Sequence, residues 1–212
     1  MTIETIETGG FIPALRAMRR PMKSYAKTDT AVIENIDNPK DNKIFIGPND
    51  KALSLKLQKA GPEHCKHLRQ IIVWADISAP REWWLQFDTY RIGIEKVSES
   101  TMHTLMSRKI TPDDFEPANG DCYGEQLLDV IDYINELIEA YQKETEPESK
   151  KKLWEYVIQV LPQSYLQTRT VMMSYAALRN IVRQREGHKL GNWKQFIDWV
   201  HTLPFEYLVF DE

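Results

Sequence analysis

A β-branched, apolar run that leads into a proline constrains the fold of this chain more than any other feature. The run covers residues 70–77, and its composition favours a buried strand. Pro80 follows at a position where a proline often opens a helix. Helical spacing from Arg81 to about Asp88 then places Trp84 and Phe87 on neighbouring faces. The sequence therefore predicts a strand that passes directly into a short, Trp-rich helix.

Apolar periodicity and turn residues predict the remaining elements. Gly93 should end the Trp-rich helix, with Ser98–Thr101 as a loop or cap. The other predicted elements are a short helix after Pro13, a strand at Lys43–Ile46, a helix capped by Asn49 or Asp50 and ending at Lys59, loop over 113–124, a core helix from Gly124 to about Glu144, a charged turn over 144–152, a short helix over 153–160, one helix from Thr168 to Glu186, and a last helix from Trp193 to Val200. The stripe expected to bury the long helix is Leu127, Leu128, Ile131, Ile134, Leu137, Ile138 and Tyr141. An apolar tail over 203–210 is expected to dock on the body of the protein or on a partner chain.

Composition limits the function classes. With 212 residues the chain is long enough for one large domain with a full core. The net charge of −4 argues against a sequence-independent grip on nucleic acid. No apolar run approaches the roughly 20 residues that span a bilayer, so we expect no membrane partner. Acids replace the basic start of a secretory signal, which predicts a cytoplasmic protein. Cys65 and Cys122 have no zinc-like spacing and are expected to be free thiols, with no metal site.

Residues 79–103 form the densest cluster of chemically able side chains. An apolar, Trp-rich run gives way to Gln, Asp, Thr, Tyr and Arg, and then to hydroxyls around a carboxylate. That pattern suits a pocket with a packed floor and a polar rim. An amphipathic helix that buries its Trp face and leaves an ordinary polar loop behind it explains the same composition.

Three blocks together resemble the flavin-dependent thymidylate synthase family, in the family's order and near its spacing. The first block is Ala79-Pro80 followed by Gln86-Phe87-Asp88-Thr89-Tyr90-Arg91, where only Arg91 matches the family's Arg-His-Arg triplet. The second block is 98–103, in which Ser100 matches the family's Ser-x-Arg-Tyr end while Met102 and His103 replace its last two residues. The third block carries Leu161-Pro162, Thr168-Arg169, Ser174 to Asn180, Arg185, His188 and Trp193.

The resemblance covers about residues 60–200 and leaves the first 50 residues outside it. It implies an α+β fold, helix-rich with one antiparallel sheet, and a homotetramer that holds FAD between subunits. Family members convert dUMP to dTMP with methylenetetrahydrofolate and NADPH as co-substrates. The resemblance also implies a catalytic role for Arg185, nucleotide contacts from Gln86, Thr89, Glu99, Ser100, Thr101, His103 and Arg185, and cofactor contacts from Thr89, Tyr90, Arg91, Ser174 and Asn180. A solvated arginine at a helix end explains Arg185 equally well.

Several arginines of the family are missing here. Thr89, Met102, Ala176 and Ile158 stand at their positions. Each charge-assisted hydrogen bond lost is worth roughly 1.5–3 kcal/mol, which should weaken an ordinary dUMP site unless other cations compensate. The candidates for compensation are Arg16, Arg19, Arg20 and Lys23.

Three hypotheses therefore stay open. The protein is a divergent synthase for dUMP or a related pyrimidine nucleotide, a non-catalytic flavin- or nucleotide-binding oligomer of the same fold, or an interaction protein built on the Trp-rich face and the apolar tail.

Overall fold

The computed structural model describes residues 1–35, 42–116 and 124–210. Its strands are β1 (Thr2–Gly9), β2 (Ala31–Ile33), β3 (Lys43–Phe45), β4 (Ile72–Pro80), β5 (Ile94–Ser98) and β6 (Leu166–Ser174). Its helices are α1 (Phe11–Met18), α2 (Pro48–Ala60), α3 (Arg81–Phe87), α4 (Thr101–Thr104), α5 (Gly124–Lys143), α6 (Pro147–Val160), α7 (Tyr175–Arg185) and α8 (Gly191–Val200). The chain is helix-rich with an antiparallel sheet, so the predicted α+β fold class is confirmed.

The chain divides into two compact units. Unit 1 comprises Met1–Thr2, Ile77–Thr89 and Val97–Thr170, and unit 2 comprises Ile3–Asp76, Tyr90–Lys96 and Val171–Glu212. Four strands form a sheet in the order β1-β4-β6-β5. Strands β2 and β3 form a separate antiparallel pair, in which Val32 lies opposite Ile44. The organisation of the chain as a single domain stays a prediction.

Strand β4 passes directly into α3, as the sequence predicts. Alternate residues of the strand are fully buried, namely Val73, Ala75, Ile77 and Ala79. In α3 the ring of Trp83 stacks on Phe87 at 4.9 Å and meets Trp84 edge-on, also at 4.9 Å. Such pairs contribute about 0.5–1.5 kcal/mol beyond their buried area. The two tryptophans are 0% and 1% exposed, so they form core and not an interaction surface.

The predicted helix from Thr168 to Glu186 is wrong in its first half. Residues 166–174 form β6, and α7 begins only at Tyr175. The β-branched residues at 168, 170 and 171 favour extended backbone, and pairing within the sheet overrides the helical spacing. Ser174 marks the change, because its side chain accepts a hydrogen bond from the backbone N–H of Ala177 and caps α7. The stretch after Gly93, which the sequence left without regular structure, is β5.

Helix α5 forms where the sequence predicts it, but α6 begins earlier. It starts at Pro147, with the side chain of Glu146 accepting from the backbone N–H groups of Glu148 and Ser149. Those bonds also lower the pKa of Glu146. The predicted turn over 144–152 therefore lies mostly within a helix, whose charged residues form its exposed first turns.

The core between α5 and α6 lies in unit 1. Its buried residues are Leu105, Met106, Ile110, Phe115, Ile131, Ile134, Ile138, Val157, Leu161 and Tyr165. Leu127, Leu137 and Tyr141 pack against it. Leu128 does not belong to the buried stripe as predicted, since it is 47% exposed. The buried stripe of α5 is therefore narrower than the sequence indicates. Of the predicted loop over 113–124, residues 117–123 lie outside the described residues.

Neither Asn49 nor Asp50 caps α2. The helix begins at Pro48, which suits a first turn whose N–H groups have no helical partner. The carboxylate of Asp29 instead accepts from the backbone N–H groups of Asn49 and Asp50 at 2.8 and 2.9 Å. Burial opposes ionisation, but these bonds lower the pKa of Asp29 overall. Gly47 permits this approach, because a Cβ there would lie 2.2 Å from Asp29 Cγ.

The apolar tail docks within unit 2, as predicted. Tyr175 Oη donates to the carbonyl oxygen of Pro204 at 2.7 Å, and burial raises the pKa of Tyr175. Arg179 Nη1 donates to the carbonyl oxygens of Val209 and Phe210, both at 3.1 Å. The tail is therefore fixed to α7 by two side chains.

Three smaller expectations concern α1, the cysteines and membrane spans. Helix α1 begins at Phe11, before Pro13. Cys65 is a buried free thiol whose pKa is raised by burial, and Cys122 lies outside the described residues. None of the helices in the described part of the chain has the length and apolarity to cross a membrane.

Candidate functional site

The predicted site residues fall into two groups, one in each unit. Unit 1 holds Gln86, Thr89, Glu99, Ser100, Thr101 and His103, and unit 2 holds Tyr90, Arg91, Ser174, Asn180 and Arg185. Each group has its own geometry.

Arg185 lies in an aromatic clamp in unit 2. Its Nε donates a hydrogen bond to Tyr90 Oη at 2.8 Å. Its guanidinium carbon lies 5.4 Å from the ring centre of Tyr90 and 4.3 Å from that of Trp193. Both rings are buried, at 8% and 0% exposure. These contacts fix the plane of the guanidinium, so Arg185 is not the freely solvated helix-end arginine that its position also allowed.

Local sequence explains how the clamp forms. Arg185 is the last residue of α7, and Gly187 follows with φ of 70°, a backbone conformation that favours glycine. The turn leads into α8, which carries Trp193 in its first turn. The ring of Tyr90 meets Trp193 edge-on at 6.1 Å. Sequence reasoning placed Trp193 in the third block but gave it no role, since only the fold shows that it covers Arg185.

The other predicted cofactor residues of unit 2 are not gathered around Arg185 by any described contact. Arg91 is exposed. Asn180 is also exposed, and its Oδ1 accepts from Gln184 Nε2 at 3.0 Å. Ser174 is 2% exposed and caps α7, so its hydroxyl serves the fold. A cofactor contact from Ser174 stays a prediction, and its burial speaks against it.

Unit 1 brings the residues of the second block together. Ser100 Oγ and His103 Nδ1 lie 2.6 Å apart. Gln167 Nε2 donates to the carbonyl oxygen of Glu99 and to Thr101 Oγ1. The carboxylate of Glu99 in turn accepts from the backbone N–H of Thr168 at 3.0 Å. Residues 99–103 are therefore held to β6 by polar contacts.

Thr89 and Gln86 contact each other in the first block. Thr89 is exposed, and its hydroxyl donates to the carbonyl oxygen of Gln86 at 2.7 Å. This bond closes the C-terminal end of α3. Thr89 therefore has a local role, and nucleotide or cofactor contacts from Gln86 and Thr89 stay predictions.

A cavity of about 270 Å³ lies beside the second block, wholly in unit 1. Its walls are Glu99, Ser100, Thr104, Leu105, Ser107, Arg108, Ile110 and Tyr165. Burial raises the pKa of Tyr165, so its phenol stays protonated at neutral pH. Sequence reasoning predicted Glu99 and Ser100 here but missed Thr104, Ser107, Arg108 and Tyr165, which no motif marked.

Arg169 is a second clamped arginine that the sequence left without a role. Its Nη1 donates to both carboxylate oxygens of Asp88, at 3.0 and 3.1 Å. Its guanidinium carbon lies 4.2 Å from the ring centre of Trp84, and Gln167 Oε1 accepts from its Nε and Nη2. Placing residue 169 on a helix, and not on β6, hid this contact.

The positions that lack the family's arginines are occupied in other ways. Met102 is 53% exposed, and Ile158 packs against the core between α5 and α6. Among the candidates for compensation, Arg19 is 4% exposed and forms a buried ion pair with Asp50 through Nε. The guanidinium carbons of Arg16 and Arg20 lie 5.9 and 5.8 Å from the ring centre of Tyr25. Arg19 is thus committed to the core of unit 2.

Comparisons with known proteins bear on the fold. No family model and no curated protein matches the sequence. Two solved structures of thymidylate synthase X from Helicobacter pylori, each described with FAD and dUMP, match the structure with TM-scores of 0.73. They are 18% and 17% identical to this chain, cover 100% of it, and are themselves covered over 98% and 99% of their lengths. The chain has the thymidylate synthase X fold. At this identity the likeness extends to the fold alone.

Proposed function

We propose that this protein is a flavin-dependent thymidylate synthase-like enzyme that methylates dUMP, or a related pyrimidine nucleotide, to dTMP or its counterpart. The observation that carries the proposal is the aromatic clamp on Arg185, in a chain with the thymidylate synthase X fold. Methylenetetrahydrofolate would supply the carbon and NADPH the electrons, with FAD as cofactor.

Arg185 is suited to stabilise charge on a pyrimidine ring. Negative charge develops at the ring edge when the ring is attacked, and a fixed cation there lowers the barrier. An arginine is charged at any working pH and presents a planar fork to a ring edge or a phosphate. Because Tyr90 and Trp193 already fix the guanidinium plane, little reorganisation is needed during the reaction.

The residues expected to hold FAD fit that role unevenly. The exposed guanidinium of Arg91 suits a pyrophosphate, and the exposed amide of Asn180 suits the polar edge of a flavin. The buried hydroxyl of Ser174 fits poorly. Tyr90 is 8% exposed and contacts Arg185, so its main role would be to position that arginine. Reduced flavin, when bound, supplies the hydride.

A second candidate is a non-catalytic flavin- or nucleotide-binding oligomer of the same fold. The missing cations favour it, because Met102 and Ile158 offer no charge and Arg19 is committed to Asp50. For either candidate we further propose a homotetramer, with FAD between subunits, in the cytoplasm.

The experiment that tests the proposal compares two arginines of the last turn of α7. The purified protein should be yellow with a flavin absorbance band, should release tritium from C5-labelled dUMP, and should rescue a thymidine-requiring strain. Arg185→Ala should abolish tritium release while the melting temperature stays within a few degrees, and Arg183→Ala, at an exposed position, should retain it.

Each outcome has a clear reading. A colourless protein that takes up no added FAD would remove the synthase proposal and would leave only a nucleotide-binding protein of the same fold. A yellow protein that binds nucleotide but releases no tritium would leave the non-catalytic one. Full activity in Arg185→Ala would take Arg185 out of the mechanism.

A further inference from the structure

Two hydroxyl groups in the wall of the cavity beside Ser100 have already donated their protons. Thr104 Oγ1 donates to the carbonyl oxygen of Ser100 at 2.9 Å, and Ser107 Oγ donates to that of Thr104 at 2.6 Å. A hydroxyl that has donated its proton keeps two lone pairs for accepting. Both side chains line the cavity, so they present acceptors to whatever enters it.

The charged groups of the cavity add to this acceptor character. Glu99 Oε2 accepts from the backbone N–H of Thr168, and a carboxylate has about four acceptor positions, so one bond leaves most of them available. Arg108 is the guanidinium in the wall, and both its terminal nitrogens donate to the carboxylate of Asp114. This pairing raises the pKa of Arg108 and lowers that of Asp114. The carboxylates of Glu99, in the wall, and of Asp114, behind it, therefore accompany the single guanidinium of Arg108.

A phosphate group does not suit such a cavity. Its oxygens are acceptors that carry negative charge, and here they would meet Glu99 and lone pairs from Thr104 and Ser107. A phosphate would compete with the carboxylate of Asp114 for both terminal nitrogens of Arg108. An uncharged group that donates O–H protons can bond to these acceptors without repulsion.

We propose that this cavity binds the sugar of a pyrimidine nucleoside through its hydroxyl protons and leaves the phosphate outside. The inference rests on the proposed function for the choice of nucleoside, and it specifies which part of the substrate the second block holds. The substrate class is then a nucleoside with or without its phosphate, which explains how the chain dispenses with the arginines expected at Met102 and Ile158.

Calorimetric titration of the full-length protein with deoxyuridine, dUMP and inorganic phosphate tests this. We expect deoxyuridine to bind within roughly threefold of dUMP, and phosphate at millimolar concentration not to displace it. Glu99→Gln should weaken both nucleoside and nucleotide about tenfold, since it removes a charged acceptor. Glu95→Gln, at an exposed position on β5, is the matched control and should change neither.

A third variant tests the role of Asp114. Asp114→Asn releases the guanidinium of Arg108 and should strengthen binding of dUMP about tenfold while leaving deoxyuridine unchanged. Unchanged affinity for dUMP in this variant would show that the pairing of Arg108 with Asp114 is not what excludes phosphate.

The outcomes separate this inference from the proposed function. If dUMP binds about 100-fold more tightly than deoxyuridine and releases tritium, the enzyme stands and the sugar assignment is wrong. If deoxyuridine binds and loses affinity in Glu99→Gln, but the protein takes up no flavin, the sugar site stands and the synthase proposal falls. Absence of deoxyuridine binding overturns the inference in either case.

Discussion

Arg185 Nε and Tyr90 Oη, 95 positions apart in sequence, are joined by a hydrogen bond of 2.8 Å. We predict that Tyr90→Phe, which keeps the ring and removes the acceptor, lowers kcat for tritium release by roughly 10- to 100-fold, because a hydrogen bond to a charged group is worth about 1.5–3 kcal/mol. KM should change little, and the melting temperature should fall by only a few degrees. Steady-state kinetics and thermal unfolding measure the two effects.

The matched control is Tyr133→Phe. Tyr133 Oη lies 3.0 Å from Tyr156 Oη on an exposed face of unit 1, so the same atom is removed from an unrelated hydrogen bond. Equal losses of kcat in both variants would show that the clamp on Arg185 has no special role.

The pair of Arg169 and Asp88 should stabilise the fold measurably. Arg169→Met removes the contacts with Asp88, Gln167 and Trp84 and should cost about 1–2 kcal/mol in urea unfolding. The side chain of Asp88 is 40% exposed, so solvent screens its interaction with Arg169. In a double-mutant cycle of Arg169→Met and Asp88→Asn, we expect a coupling energy of about 0.5–1 kcal/mol. The exposed pair of Lys194 and Asp198 is the control, with coupling below about 0.5 kcal/mol. Coupling no larger than in that control would contradict the prediction.

The elements that the sequence predicted best are those encoded locally. Strand β4 and helix α3 follow from β-branched residues and one proline, and α5 follows from a sustained apolar period. Strand β6 was missed because its side chains also fit a helical stripe, while its hydrogen bonds run to strands far away in sequence. No local pattern records such pairing.

The candidate site shows the same limit. The resemblance identified Tyr90 and Arg185 separately, yet their contact depends on the course of the chain, and Trp193 completes the clamp only because α8 folds back after Gly187. The cavity beside Ser100 depends on Arg108 and Tyr165, which belong to no motif. Individual candidate residues could thus be predicted from the sequence, whereas the contacts that join them into a site could not.

Stability should fall on acidification because of His67. Its ring is 2% exposed with Nε2 2.8 Å from Ser54 Oγ, and burial lowers its pKa to about 4. The unfolded chain protonates this histidine at a pKa of about 6.5. Between these values the unfolded state binds more protons than the folded state. The stabilisation that depends on a neutral His67 is therefore fully present above about pH 6.5, and the free energy of unfolding falls by up to roughly 3 kcal/mol as the pH falls toward 4.

Urea unfolding at about pH 7 and about pH 4.5 measures this loss. His67→Gln cannot take up the proton and should show a smaller decrease between the two conditions, whereas His201→Gln, at an exposed position, should behave like the unmodified protein. An unchanged decrease in His67→Gln would assign the acid sensitivity to other groups.

Gly93 and Ser174 should show strong non-additivity. Gly93 has φ of 73°, and a Cβ there would lie 2.5 Å from Ser174 Oγ, so Gly93→Ala meets both backbone strain and a clash and should cost about 3 kcal/mol. Ser174→Ala alone loses the cap of α7, at about 1 kcal/mol. The double variant removes the clashing oxygen and leaves Cβ of residue 174 at 3.4 Å, so its cost should be below the sum of the two single costs by roughly 1 kcal/mol.

Gly187 is the matched control, since it has a similar φ of 70° and nothing within 4 Å of its added Cβ. Gly187→Ala should therefore add to Ser174→Ala without coupling, and equal coupling at both glycines in urea unfolding would show that steric contact with Ser174 is not the cause.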